Sequence, residues 1–380
     1  MNYAARVERV EPSATLAVSN LAKQLEADGE DVVDLSVGEP DFDTPQHVKD
    51  AANEALAGGA TNYTPSNGIP SLREAIADKL QGDGMAYDAD DVIVTPGAKQ
   101  ALYETFQTIV DEGDEVVLLD PAWVSYEAQA KLAGAELNRV DLSPYDFQLE
   151  PALDDLEDAV SGETELLVVN SPNNPTGAVY SRAAMEGVRD LAVDHDVTVV
   201  ADEIYQHINY GPEHVSLATL DGMHERTVTV NGFSKAYAMT GWRLGYLAAP
   251  SGLIDQAGKV QSHSVSSATS FVQHGGVAAL EGPTESTDAM VEAFEDRRDL
   301  LLDLFADLGV EVPHPAGAFY VMVPVDEDDQ TWCTEALETA HVATVPGSAF
   351  GAPGYARLSY AASKERLQEG VERLADAGYL

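Results

Sequence analysis

The chain has 380 residues, 44% of them hydrophobic, and a formal net charge of -44 from 65 acidic against 21 basic side chains. Charge of that sign and size excludes nucleic-acid binding, which needs clustered Lys and Arg, and docking on an anionic membrane surface. The hydrophobic fraction suits a real core rather than a disordered polyanion, so the acidic excess points to a surface adapted to high salt, as in a halophile, where counterions screen the self-repulsion.

The elements alternate along the chain. A helix is expected over about 16–26 with Ser13 as its cap, and then a short strand runs through Val32-Val33-Asp34-Leu35 into the turn Gly38-Glu39-Pro40-Asp41. Thr44-Pro45 starts a helix over about 46–57, and a further helix spans about 71–80 after the loop Tyr63-Thr64-Pro65-Ser66-Asn67-Gly68. Strands follow at 91–95, 115–119, 165–170 and 197–201, with helices at about 99–110 and 182–195. Two more strands, 227–230 and 246–249, flank a loop that holds Lys235 and Arg243. Strands alternating with helices of this length give an α/β domain with a mostly parallel sheet, and its functional loops should gather at the carboxyl ends of the strands. The pattern changes after about 285. A long charged helix at 287–308 and strands at 319–324 and 356–360 read as a smaller α+β domain, which the N-terminal segment joins. The expected division is 1–45 with the small domain, 46–285 as the large domain and 286–380 as the rest of the small one.

The common catalytic motifs are missing. There is no G-x-G-x-x-G, no P-loop, no H-E-x-x-H and no G-x-S-x-G. The nine histidines show no metal-ligand spacing, and the single cysteine, Cys333, excludes an internal disulfide and a cysteine-based zinc site. Cys333 is expected as a small buried hydrophobe in a reducing compartment. No signal peptide or membrane-length apolar run is seen, so a cytoplasmic location is expected.

What remains is a set of loop residues placed after strands. Lys235 is one of only eight lysines and sits among small residues with no carboxylate near it in sequence. A desolvated lysine beside another cation has a lowered pKa, and its neutral amine can attack a carbonyl; an ordinary loop lysine is the alternative. Thr95-Pro96-Gly97-Ala98-Lys99 joins a strand to a helix whose first N–H groups suit a phosphate, though a plain βα turn would look the same. Asp202 closes an apolar strand, where a carboxylate is costly unless it meets a cation, with helix capping as the plainer role. Arg357 opens the strand-like Arg357-Leu358-Ser359-Tyr360, where a surface salt bridge is the plainer role. A ligand that needs all of these carries a phosphate, a ring with a basic nitrogen and a carbonyl, which describes pyridoxal phosphate.

In chain order the motifs are V-G-E-P-D-F-D-T-P, N-Y-T-P-S-N-G-I-P-S-L-R, T-P-G-A-K-Q-A-L, S-P-N-N-P-T-G, A-D-E-I-Y, F-S-K-A-Y-A-M-T-G-W-R-L-G-Y and R-L-S-Y. This ordered set resembles the class I aminotransferases, fold type I enzymes of pyridoxal 5'-phosphate, and is most similar to their prokaryotic aspartate aminotransferase branch. The resemblance runs from about Pro12 to Tyr360. It implies Lys235 as the Schiff-base lysine and proton shuttle, Asp202 at the pyridinium nitrogen, Tyr205 and Asn174 at the ring hydroxyl, and Trp123 on the ring. It implies Arg243, Ser234 and the backbone at Ala98-Lys99 around the phosphate. Tyr63 would reach the phosphate of a neighbouring subunit, which makes a homodimer with shared sites. Arg357 would clamp the substrate α-carboxylate, Gly38 would line the pocket, and Asn174 and Trp123 would also face substrate. Lys99 would meet the distal carboxylate of an acidic substrate. One departure stands at Gly232, where relatives often carry a hydroxyl residue that donates to the phosphate. The expected reaction is transamination between aspartate or glutamate and a 2-oxo acid. Aromatic amino acids, prephenate or alanine as substrates, a lyase of the same fold, and a non-enzymatic cofactor sensor are the alternatives.

Overall fold

The computed structural model describes residues 3–12, 14–325 and 328–380; the expected cap Ser13 lies outside them. An extended strand β1, Val33–Asp34, follows the helix Ala14–Asp28. The centre of the molecule is a seven-stranded sheet made of β2 (Val92–Thr95), β3 (Glu115–Asp120), β4 (Glu136–Asp141), β5 (Thr164–Asn170), β6 (Thr198–Asp202), β7 (Thr227–Gly232) and β8 (Gly245–Ala248). Its strand order is β2-β8-β7-β6-β5-β3-β4. Only β8 runs against its neighbours, β2 and β7, while the β7-β6-β5-β3-β4 run is parallel. The inner strands are buried along their length, as the run Val-Val-Ala-Asp of β6 shows. Buried parallel strands read as continuous apolar runs because helices cover both faces.

A second, antiparallel sheet has the order β11-β12-β9, from β9 (Tyr320–Pro324), β11 (Val345–Pro346) and β12 (Tyr355–Ser359). Between β9 and β11, β10 (Val342–Ala343) pairs in parallel with β1. The first fifty residues therefore join the last hundred through backbone hydrogen bonds, as from Val33 N–H to the His341 carbonyl at 2.8 Å. The apolar cores divide in the same way. Phe294, Leu301 and Phe305 of the long helix Glu285–Asp307 pack with Val33, Leu35, Phe319 and Leu374, whereas both faces of the large sheet pack on their own helices. The fold is thus an α/β unit plus a smaller α+β unit from both chain ends. Among the elements not legible in the sequence are strand β4 and the helices Val124–Ala133, Leu153–Ala159, Ser251–Ser264, Ser270–Glu281, Asp329–Glu335 and Lys364–Asp376.

One buried acid in this framework has no role at the site described below. Glu104, on the helix Ala98–Ile109, is fully buried. Its Oε1 accepts from Gln100 Nε2 at 2.9 Å and its Oε2 has no partner. Burial pushes its carboxyl from 4.5 up to about 8, against the Gln100 hydrogen bond. Between those two values the folded chain keeps a proton that the unfolded chain releases, so stability falls as pH rises. Glu104→Gln removes that slope and should stabilise the protein at pH 7 by about 1–3 kcal/mol. Denaturant titrations of both proteins at pH 5 and pH 8 check this; parallel pH dependences would show that Glu104 is ionised in the native state.

Candidate active site

A cavity of about 590 Å³ opens between the two units. Its walls are the carboxyl ends of β5 and β6, the start of the helix Ala98–Ile109, the loop after β7, and Tyr320 and Arg357 of the smaller sheet. The helix Ala14–Asp28 and the strip Ser36–Glu39 close the remaining side.

Asp202 sits at the end of β6 with 2% of its surface exposed. Its Oδ2 accepts from the Tyr126 hydroxyl at 2.7 Å and its Oδ1 from Ile204 N–H at 3.2 Å. Burial pushes its carboxyl up to about 6, although Tyr126 and the Ile204 amide both favour the charged form. A cation placed against it would restore full ionisation. Lys235 projects into the same space from the loop after β7, and its Nζ donates to the Gly38 carbonyl at 2.5 Å. Burial brings its amine down to about 8; Glu39 opposes that shift and the cations Arg357 and Arg243 add to it. The group is therefore poised to be a neutral nucleophile or a proton carrier near neutral pH.

The opposite end is an anion cradle. Gly97 has φ +86°, and a Cβ there would fall 2.7 Å from Arg243 Nη2. A Cβ on Gly245 would fall 2.4 Å from the amide nitrogen of Ala98. Only glycine lets the guanidinium and β8 come this close to the first turn of the helix. Arg243 Nη1 is held by the Thr240 carbonyl at 2.8 Å and meets no carboxylate among the described residues. Lys99 and Ser234 lie beside it. Burial, and then Arg243, push the Lys99 amine below its ordinary value. A guanidinium with no carboxylate partner beside a helix N-terminus is an arrangement that could hold a phosphate.

Arg357 is 3% exposed and also has no carboxylate partner. Its Nη2 donates to the Ser36 carbonyl at 2.6 Å and its Nη1 to Asn174 Oδ1 at 3.2 Å, while its Nε is unpartnered. The guanidinium lies 4.5 Å from the Tyr320 ring centre and 5.1 Å from that of Phe350. A buried cation in that state favours an incoming carboxylate, which its planar fork can bind at two points. Trp123 stands on the wall with Lys99 Nζ 4.7 Å over its ring.

The cavity thus gathers Gly38, Ala98, Lys99, Trp123, Asn174 and Asp202 with Tyr205, Ser234, Lys235, Arg243 and Arg357. Tyr63 is apart from them. It is 95% exposed and lines a separate groove with Leu56 and Val265. The Tyr205 hydroxyl meets the hydroxyl of Tyr320 at 3.0 Å and not Asn174. Gly232 faces Gly245 across the β7–β8 pair, and a Cβ on it would lie 3.0 Å from the Gly245 Cα. A hydroxyl side chain there would press on that strand, so the glycine fits its local packing. Tyr126, Tyr320, Ser36 and Glu39 are site residues that the sequence did not single out. Tyr126 follows Trp123 by one helical turn, a signal that was available once the helix Val124–Ala133 is recognised.

The family model "Aminotransferase class I and II" matches residues 30–374. The chain belongs to this family. It is 45% identical over 378 residues to the aspartate/prephenate aminotransferase of Thermus thermophilus, covering 97% of each chain. It is 43% identical to the aspartate aminotransferase of Geobacillus stearothermophilus, covering 98% of each. The solved structure of the Thermus thermophilus aspartate aminotransferase with maleate superposes with a TM-score of 0.96 at 44% identity, covering 99% of each chain. The aminotransferase cofactor is pyridoxal 5'-phosphate. The cavity fits it on its own terms, with a glycine-lined anion cradle at one end, a buried carboxylate in need of a cation at the floor, and an amine of lowered pKa between.

Proposed function

We propose that this aminotransferase exchanges an amino group between aspartate or glutamate and the matching 2-oxo acid, oxaloacetate or 2-oxoglutarate. Aromatic, prephenate, alanine and lyase readings are not favoured. The observation that carries the acidic substrate is a pair of cations without carboxylates, Arg357 and Lys99, on the same cavity as Lys235. A dicarboxylate satisfies both, with its α-carboxylate at Arg357 and its distal one at Lys99.

Bound pyridoxal phosphate supplies an exchangeable carbonyl and an electron-withdrawing ring, so that a bond at the amino acid Cα can break. Asp202 would hold the ring nitrogen in its charged form, and Asn174 and Tyr205 the ring hydroxyl. Trp123 would cover the ring face. The Ala98 and Lys99 amides, Ser234, Arg243 and Tyr63 of the partner subunit would hold the phosphate. Arg357 orients the substrate so that its Cα–H points at Lys235. Lys235 would take that proton and hold it for return to carbon on the far side of the amino nitrogen, which its near-neutral pKa permits in both directions. Gly38 leaves room beside Tyr320, whose hydroxyl a Cβ would approach to 2.8 Å.

The domain limits 1–45, 46–285 and 286–380 fit the pairing of β1 with β10 and the separate cores. A homodimer accounts for Tyr63, which lies far out in solvent beside a groove of about 810 Å³ lined by Leu56, Val265 and Phe271. Among the described residues no helix is long and apolar enough to cross a membrane, and a cytoplasmic enzyme of a salt-adapted organism suits the buried thiol of Cys333 and the net charge of -44.

The substrate assignment is tested at Lys99. The residue is exposed overall although its amine is partly desolvated, so the loss should fall at the low end of the range for charge pairs in binding sites. Lys99→Ala should lower kcat/KM for aspartate and glutamate by roughly 10- to 30-fold and largely spare alanine and phenylalanine. Equal losses for all donors would place Lys99 with the cofactor or the fold instead.

A further inference from the structure

The chain has eight lysines among 65 acidic residues. Four have a carboxylate partner: Lys49 with Asp43, Lys79 with Asp83, Lys131 with Glu127 and Lys364 with Asp296. Lys259 donates to the Gln256 side chain at 2.6 Å. The remaining three, Lys23, Lys99 and Lys235, have no anionic partner among the described residues, and all three line the active-site cavity. Lys99 and Lys235 already have roles.

Lys23 lies on the helix Ala14–Asp28, whose two faces are distinct. Val18, Ala22 and Leu25, at helical spacing, pack against Val32, Leu337 and Ala343 of the smaller unit. Thr15, Ser19 and Lys23, spaced four residues apart, form a stripe along the cavity wall. The packed face fixes which way this stripe points, so Lys23 stands at its end on the cavity rim. Lys23 and Lys99 thus line one cavity from two different helices, Ala14–Asp28 and Ala98–Ile109.

Resting on the acidic-substrate reading above, we infer that Lys23 is a specificity-determining residue: a second cation that, with Lys99, recognises the distal carboxylate of a dicarboxylic substrate. Its role is attraction rather than proton transfer. It acts equally on the amino acid and the oxo acid, because the distal carboxylate is unchanged by the reaction. Uniform binding of this kind appears in KM and leaves kcat in place. Lys23 is exposed, so its contribution is that of a partly solvated ion pair.

The test compares wild type, Lys23→Met and Lys23→Arg as holoenzymes at one fixed salt concentration. Lys23→Met should raise KM for aspartate and 2-oxoglutarate about fivefold, with kcat changed by less than about twofold. The dissociation constant of maleate, measured by calorimetry, should rise by the same factor. KM for phenylalanine and alanine should stay put, and Lys23→Arg should restore the wild-type values. An equal rise for acidic and uncharged donors, or failure of Lys23→Arg to rescue, would assign Lys23 a structural role and overturn the inference. Unchanged KM and maleate binding in Lys23→Met would overturn it as well, while leaving the acidic-substrate reading intact if the wild type still prefers aspartate. A wild type that turns over no dicarboxylic donor would remove that reading, and this inference falls with it.

Discussion

Lys235→Ala lowers transamination by on the order of 10⁴-fold or more, because no other amine in the cavity can carry the Cα proton. Lys99 Nζ sits 4.7 Å over the Trp123 ring, and Lys23 is an exposed residue of the helix Ala14–Asp28. The variant should fold normally, since the Lys235 amine makes one hydrogen bond, to the Gly38 carbonyl, and the loop is held by its backbone, as in Met239 N–H to the Ser234 carbonyl. Circular dichroism and the rate with aspartate and 2-oxoglutarate read the two properties separately. A folded variant that retains normal turnover would place the catalytic amine elsewhere. The same variant tests the shared site when mixed with Tyr63→Ala subunits. In a heterodimer one site carries both defects, while the other has an intact Lys235 and draws an intact Tyr63 from its partner. Activity should therefore return on mixing, and a mixture no better than its parts would refute the partner role of Tyr63.

Salt should have the second large effect. The helix Leu153–Ala159 shows why: Asp154, Asp155, Glu157 and Asp158 are all exposed around the single buried Leu156, and no Lys or Arg pairs with them among the described residues. Across the chain, 65 acids against 21 bases leave most carboxylates facing like charges. The Debye length falls from about 10 Å at 0.1 M to about 3 Å at 1 M salt, which removes most of this repulsion. Relief of about 5 kcal/mol would raise the unfolding midpoint by on the order of 10 °C, at roughly 2 °C per kcal/mol for a chain of this size. Thermal scans from about 0.1 M to about 2 M KCl measure it. A midpoint that does not move with salt would refute adaptation of the surface to high ionic strength.

How far the sequence goes is clearest at single elements. The apolar runs Val92–Thr95, Glu115–Asp120, Thr164–Asn170 and Thr198–Asp202 announce buried strands, because a strand covered on both faces needs no polar alternation. The polar residues that end them, Asn170 and Asp202, mark the carboxyl edge where a parallel sheet places its site. The ordered motifs likewise name Lys235 and Arg243 in the loop after β7, Asp202 at the end of β6 and Arg357 within β12, since each sits in a short run that has to be spelled in sequence. Strand β4, Glu136-Leu137-Asn138-Arg139-Val140-Asp141, was invisible by contrast. It is an edge strand with one buried residue, so its composition reads as a loop, and only pairing with β3 makes it a strand. The helix Lys364–Asp376 is mostly polar and is fixed by the four residues it buries on the smaller core.

The sequence by itself determined the fold class, the family and the cofactor chemistry, because those rest on local motifs and on the period of apolar residues. Tertiary structure decided which groups meet. That Arg357 borrows the Ser36 carbonyl across 321 positions, that Lys235 leans on Gly38, and that Tyr126 joins the Ile204 amide in steadying the Asp202 carboxylate are consequences of tertiary packing. No spacing rule reaches across such separations. The placement of Lys23 on the cavity wall has the same origin: the helix period defines a polar stripe, but only its packing on Leu337 and Ala343 puts that stripe on the cavity wall.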